Sequence, residues 1–196
     1  MMTAIQSSKR SIRQAITSNL RSLSEASVQE QSDSVFNHII SSPIFQRSRT
    51  VSCYLSMKGE INTYGIVHEI LRRGKTLYVP KIANREDRRM DLLRIYSIED
   101  LESLPNGTWG IKEPTSEWQE RRRASIYDDD ADTLDLILVP GVAFDNELSR
   151  LGHGKGYYDF FINSYSKFKA QPKLVALSLR EQILPNDGPI DKTEEA

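Results

Sequence analysis

The chain has 196 residues, enough for one domain with a full hydrophobic core, and a net charge of −1 with 27% charged residues. That balance gives no general attraction for nucleic acid or an anionic membrane, and the single cysteine, Cys53, excludes an internal disulfide. No apolar run approaches membrane-spanning length and no secretory signal is visible, so a soluble, monomeric, cytoplasmic protein acting on small molecules is expected.

Residues 1–24 carry Lys9, Arg10, Arg13, Arg21 and many serines, with no acidic residue before Glu25. Mitochondrial transit peptides share that composition, which leaves targeting of a fraction open. Ile12, Ala15, Ile16, Leu20 and Leu23 nevertheless form a helical stripe, so a folded first helix on the domain is expected. Ser24 is placed to cap a second helix whose inner face is Val28, Val35, Phe36, Ile39 and Ile40, ended by Ser41-Ser42-Pro43.

Val51–Leu55 reads as a strand, with Cys53 a small buried hydrophobe inside it. A loop follows over Ser56–Ile61, then a helix over 63–73 with Ile66, Val67, Ile70 and Leu71 inward and Gly74 closing it. Thr76–Pro80 and Leu92–Tyr96 are further strands. Residues 112–133 combine Arg121, Arg122 and Arg123 with Asp128, Asp129, Asp130 and Asp132 and show no periodicity, so a solvated, flexible charged loop is expected. Within it, Arg122-Arg123-Ala124-Ser125 is a candidate target for a basophilic kinase. His38 and His68 carry no signal beyond helix-surface positions.

Leu134–Val139 reads as the central strand and stops at Pro140-Gly141. Beyond it, Arg150-Leu151-Gly152-His153-Gly154-Lys155-Gly156-Tyr157-Tyr158-Asp159 places glycines at alternate positions with basic residues between them. Without Cβ, Gly152, Gly154 and Gly156 bring backbone N–H groups close to an anion. Arg150, His153 and Lys155 supply countercharge. A helix over 155–166, with Phe160, Phe161 and Tyr165 inward, would start at this loop and offer its N-terminus to a phosphate. The loop is not a Walker A sequence, because Gly156 follows Lys155 where Ser or Thr would be required. Nor is it a dinucleotide fingerprint, since no strand is expected immediately before it. Leu174–Leu179 is the last expected strand.

Alternation of apolar strands with helices indicates an α/β fold: three layers, α/β/α, with a mostly parallel central sheet and the ligand site at the C-terminal edge of the strands. Met57–Glu60, Lys81 and the glycine loop then fall on one edge. From the residues alone, the reading is an enzyme that binds a phosphate ester. A sugar-phosphate or CoA-dependent enzyme, and a non-catalytic nucleotide- or folate-binding module, stay open at this point.

Val139-Pro140-Gly141-Val142-Ala143-Phe144-Asp145 followed by residues 150–159 resembles the signature of the 5-formyltetrahydrofolate cyclo-ligase family. Lys9-Arg10-Ser11-Ile12-Arg13, Leu55-Ser56-Met57-Lys58-Gly59-Glu60-Ile61, Trp109-Gly110-Ile111 with Pro114, and Asn186-Asp187 extend the likeness over nearly the whole chain. His153 stands where relatives often have Arg or Tyr.

The resemblance implies ATP- and Mg²⁺-dependent closure of 5-formyltetrahydrofolate to 5,10-methenyltetrahydrofolate through a phosphorylated formyl group. It assigns Lys9, Arg10, Arg13, Arg150, Leu151, Gly152, His153, Gly154, Lys155, Gly156, Tyr157 and Tyr158 to ATP. Leu55, Met57, Glu60 and Trp109, with the segment from His153 to Tyr158, take the folate. Asp159 and Asp187 bind the metal. Lys155 and Arg150 stabilise the transferred phosphoryl group; Glu60, an acid placed by the folate loop, either assists loss of the N10 proton or only binds the folate.

Overall fold

Strand residues at alternate positions send their side chains to opposite faces of a sheet, and a sheet covered on both faces buries both sets. The computed structural model describes residues 4–84, 89–107 and 110–184. In chain order the elements begin with helices α1 (Ala4–Arg21), α2 (Glu25–Ser41) and α3 (Pro43–Arg47), strand β1 (Thr50–Cys53) and helix α4 (Tyr64–Arg72). Strands β2 (Thr76–Asn84) and β3 (Arg89–Ile95), helix α5 (Ile98–Ser103) and the short strands β4 (Glu117–Trp118) and β5 (Arg121–Arg122) follow. The remainder is β6 (Leu136–Val139), β7 (Ala143–Phe144), β8 (Arg150–Leu151), helix α6 (Tyr157–Tyr165) and β9 (Lys173–Ala176), with a 3-10 turn at Arg180–Gln182.

Five strands form one sheet in the order β3-β2-β1-β6-β9. The strands β2, β1, β6 and β9 run parallel, and β3 is antiparallel to β2. Val51 stands opposite both Leu77 and Leu136, so β1 is the central strand, not β6 as the sequence suggested. Both strands are wholly buried, and apolar pattern alone does not order such strands.

Val51, Cys53, Leu77, Val79, Leu136 and Leu138 pack on one face with Ile39 of α2, Phe45 of α3, Ile66, Val67 and Ile70 of α4 and Leu101 of α5. Tyr78, Leu92, Ile137 and Val139 pack on the other with Phe161 and Tyr165 of α6. This is the expected three-layer α/β/α arrangement with a mostly parallel sheet. Each fully buried Leu, Ile or Phe in these layers stabilises the fold by roughly 1.5–3 kcal/mol. The outer strand β9 is different: Lys173, Leu174 and Ala176 are exposed on the sheet edge.

Local signals set the ends of the helices. The Ser24 hydroxyl accepts from Ser27 N, as the cap assignment required. Ser42 accepts from Phe45 N and starts α3 with Pro43 at its first turn, a helix not legible in the apolar pattern. Gly74 takes φ +67° behind α4, the left-handed closure expected of it. α6 starts at Tyr157, and Phe160 is half exposed; Phe161 and Tyr165 are buried in the core, with Tyr157, Tyr158 and Ile162 packed against it.

α1 does not lie on the main sheet. Ile16 packs with Val142, Ala143 and Leu151, so the helix sits on the small hairpin made by β7 and β8. The basic amino-terminal segment from Ala4 is thus folded onto the domain. No helix among the described residues is long and apolar enough to cross a membrane.

Residues 112–133 are not a freely solvated loop. β4 and β5 pair, Tyr96 stacks on Trp118 with centroids 5.3 Å apart, and Arg123 is 1% exposed. Its guanidinium donates to both carboxylate oxygens of buried Asp100, at 2.6 and 2.7 Å, and to the carbonyls of Arg94 and Thr115. Ser125 is buried and its hydroxyl donates to Asp91, so the kinase motif does not present its hydroxyl. One buried arginine, with a hydrogen bond from each of its three nitrogens, holds the segment in place despite the polar composition around it.

Candidate active site

β1 and β6 run in the same direction, so the segments that leave their C-terminal ends emerge side by side. From β1 comes the stretch Tyr54–Ile61. From β6 comes Pro140-Gly141, then the β7–β8 hairpin, the glycine loop and α6. A Cβ on Gly141 would lie 2.5 Å from the Phe144 ring, so a larger residue here would have to displace that ring. Asp145 Oδ1 accepts from Glu147 N and Ser149 N and closes the hairpin turn. The strand β8 immediately before the glycine loop was not expected from the sequence; two residues are too few for a periodic signal.

Two of the loop's three glycines take the left-handed backbone open to them, and Gly152 does not. Gly154 takes φ +88° and Gly156 φ +69°, the latter as the N-cap of α6. Arg13 of α1 donates from Nε to the Gly152 carbonyl at 2.8 Å, and its guanidinium lies 3.5 Å from where a Gly154 Cβ would stand. Lys9, one turn earlier, is buried at 8% exposure, whereas Arg10 is exposed. Lys9 and Arg13 are therefore not the solvated surface pair that their spacing alone allows. Lys155 and His153 are exposed at the loop's rim.

Two expected ligand residues are engaged with each other. Arg150 forms an ion pair with Asp159, donates to the Pro140 carbonyl at 3.3 Å and lies 5.7 Å above the Tyr158 ring. Its charge is paired with α6, and its Nη1 also lies 3.0 Å from where a Gly152 Cβ would stand, against the start of the glycine loop. Leu151 is fully buried in the hairpin core, so its side chain does not line a ligand cavity; its carbonyl accepts from Val142 N.

The facing loop is braced internally. Thr63 Oγ1 donates to the Tyr54 carbonyl at 2.7 Å and accepts from Ser56 N, while Ser56 Oγ accepts from Thr63 N. Glu60 Oε2 accepts from Met57 N at 3.0 Å, so this carboxylate closes its own loop and does not cap α4. Its other oxygen lies 3.8 Å from His153 Nε2, which joins the two loops. Met57, Glu60, Tyr64, His153, Leu20 and Val28 line a cavity of about 820 Å³ between them, a volume suited to a small organic ligand. Leu55 is buried in the main core beneath it. Trp109 and Asp187 lie outside the described residues.

Burial, and next the charge of Glu60, pushes the Tyr54 hydroxyl well above its ordinary value. Burial dominates for Tyr158 as well, with Cys53 and Glu60 adding to it. Burial likewise raises the Cys53 thiol, so it is no nucleophile.

No group of three or more His, Cys, Asp or Glu among the described residues is arranged to hold a metal ion. Mg²⁺ usually takes one or two carboxylates together with substrate phosphates and water, so Asp159 is a suitable donor by type. Its Oδ1 is held by Arg150.

The family model for the 5-formyltetrahydrofolate cyclo-ligase family matches residues 5–196. A Caenorhabditis elegans protein named probable 5-formyltetrahydrofolate cyclo-ligase is 37% identical, over 98% of this chain and 91% of its own length. The 5-formyltetrahydrofolate cyclo-ligase of Mus musculus is 33% identical, over 96% of this chain and 90% of its own. The NMR structure of 5,10-methenyltetrahydrofolate synthetase from Aquifex aeolicus superposes with a TM-score of 0.68 at 32% identity, covering 92% of this chain and 84% of that one. The match runs through α1, the Glu60 loop and the glycine loop, the three segments that meet at the cavity. This chain belongs to the 5-formyltetrahydrofolate cyclo-ligase family.

Proposed function

We propose that this protein closes 5-formyltetrahydrofolate to 5,10-methenyltetrahydrofolate, with ATP cleaved to ADP and phosphate. The observation that supports it most is the family match across every segment that borders the cavity. A formamide carbon is a weak electrophile and its oxygen a poor leaving group. The formyl oxygen takes the γ-phosphoryl group as the bond to ADP breaks, leaving the carbon as an iminium. N10 then forms its bond to that carbon, the carbon–oxygen bond breaks, and phosphate leaves carrying the N10 proton. No protein nucleophile is needed.

Phosphoryl transfer of this kind depends on positioning and on neutralising charge. The amides of Gly152, Gly154 and Gly156 hold the triphosphate, with Lys9, Arg10 and Arg13 alongside. Lys155 and His153 stand at the rim, Lys155 nearest the transferred group. Arg150 acts through Asp159 and Tyr158, fixing the start of α6. Met57, Glu60, Tyr157 and Tyr158, with Trp109 and the Leu55 backbone, form the folate side, and Glu60 receives the N10 proton in transit. Asp159, with Asp187, would hold Mg²⁺, and the ion would neutralise charge on the phosphates when bound.

The purified protein mixed with 5-formyltetrahydrofolate and Mg-ATP is expected to yield methenyl product and ADP in equal amounts, and no product without ATP. Lys155→Ala is expected to lower turnover at least about 100-fold with an unchanged melting temperature. Product formation without ATP, or none with it, overturns the reading. Near-normal turnover in Lys155→Ala removes that lysine from it.

A further inference from the structure

Gln182, at the end of the 3-10 turn, lines the cavity and is 2% exposed. A buried amide is unfavourable unless its donor and its acceptor are both used, and here both are. Gln182 Oε1 accepts from Leu179 N at 2.8 Å. Its Nε2 donates to the Gly141 carbonyl at 2.6 Å and to the Val142 carbonyl at 3.3 Å. The same turn is fastened to α2, because Gln31 Oε1 accepts from Arg180 N at 2.9 Å. Gln182 therefore acts from a fixed base.

The shorter of its two donated bonds begins a chain. The Gly141 carbonyl and the Val142 N–H belong to one trans peptide group, so they point in opposite directions. Val142 N donates to the Leu151 carbonyl at 2.7 Å. That carbonyl in turn shares its peptide group with the Gly152 N–H, the first amide of the glycine loop. Four amide groups thus run head to tail: the peptide that carries Leu179 N–H, the Gln182 side chain, peptide 141–142 and peptide 151–152. Bonds aligned in this way polarise one another in the same sense, with the positive end at Gly152 N–H. Among the described residues no backbone group accepts from Gly152 N. The carbonyl of Gly152 is held separately, by Arg13.

We propose that Gln182 is a positioning residue for the nucleotide: through peptides 141–142 and 151–152 its side-chain amide orients and polarises the Gly152 N–H toward a phosphate oxygen of ATP. Although Gln182 lines the folate cavity, its effect falls on the other ligand. The inference rests on the reading of the glycine loop as the seat of the triphosphate.

Gln182→Glu keeps the length and an acceptor for Leu179 N but sets a carboxylate oxygen against the Gly141 carbonyl. Steady-state kinetics is expected to show the KM for ATP rising about tenfold and that for 5-formyltetrahydrofolate staying within about twofold. Gln182→Met, unbranched and without a donor, is expected to raise the KM for ATP in the same direction. In proton–nitrogen correlation spectra of the wild type, Mg-ADP is expected to move the Gly152 amide and the Gln182 side-chain amide together. Equal rises in both KM values, as a merely loosened turn would give, overturn the proposal, and so does an unchanged KM for ATP. If neither variant folds, the wild-type spectra decide: a Gln182 resonance that Mg-ADP leaves unmoved overturns the proposal. A normal wild type with a Gln182→Glu variant indifferent to ATP sinks this inference alone, whereas a wild type without ATP-dependent turnover sinks the functional reading with it.

Discussion

Arg13 and Gly152 stand 139 residues apart and are joined by an Nε–H···O bond of 2.8 Å. The bond ties the amino-terminal helix to the glycine loop at the point where the loop turns toward α6. Breaking it by Arg13→Ala removes a cation from the loop and the brace that orients Gly152. The KM for ATP is expected to rise about tenfold with little change in that for folate, read by steady-state kinetics. Equal changes in both would mean that the contact serves only folding.

Arg150 and Asp159 supply a test of the metal assignment. If Asp159 only positions Arg150, Asp159→Asn and Arg150→Ala act on the same contact, and a double-mutant cycle gives a coupling on the order of 1 kcal/mol in stability. If Asp159 also donates to Mg²⁺ under turnover, Asp159→Asn is expected to shift the Mg²⁺ titration of activity to higher concentration while Arg150→Ala does not. An identical titration for both variants assigns Asp159 to the ion pair.

The buried Arg123–Asp100 pair predicts an asymmetry. Truncating one partner leaves the other charge buried, so Arg123→Ala or Asp100→Ala should cost about 3–5 kcal/mol in urea unfolding. Replacing both by apolar residues of similar volume should recover most of that loss. A single truncation within about 1 kcal/mol of wild type would mean that the segment around 115–128 is not held by this pair.

Glu69 predicts an acid dependence. Its carboxyl is lowered from 4.5 to about 2, first by the hydrogen bond from Arg72 and then by that from Arg73. A depressed folded value means that the unfolded chain binds the proton more readily. The contribution is complete above about pH 4.5 and is lost as pH falls toward about 2. Glu69→Gln is expected to be less stable than wild type at neutral pH, with the difference shrinking across that window in denaturant melts. A difference independent of pH would rule out the titration.

Features that depend on a few neighbouring residues were legible from the chain. The Ser24 cap, Gly74 behind α4, the positive-φ Gly154 and Gly156 and the apolar pattern of the buried strands all follow from local conformation and periodicity. Those features, and the motif that shows the family, were written in the order of the residues. Tertiary structure decided what each charge faces: Arg150 turns to Asp159, Arg13 to Gly152, Arg123 to Asp100 and Ser125 to Asp91. It also put β1 in the middle of the sheet and left the Tyr54 hydroxyl buried without a partner. The physical reason is the same throughout: a charge or hydroxyl acts over a few ångströms, and which groups come that close is set by strand order and helix packing, not by distance along the chain.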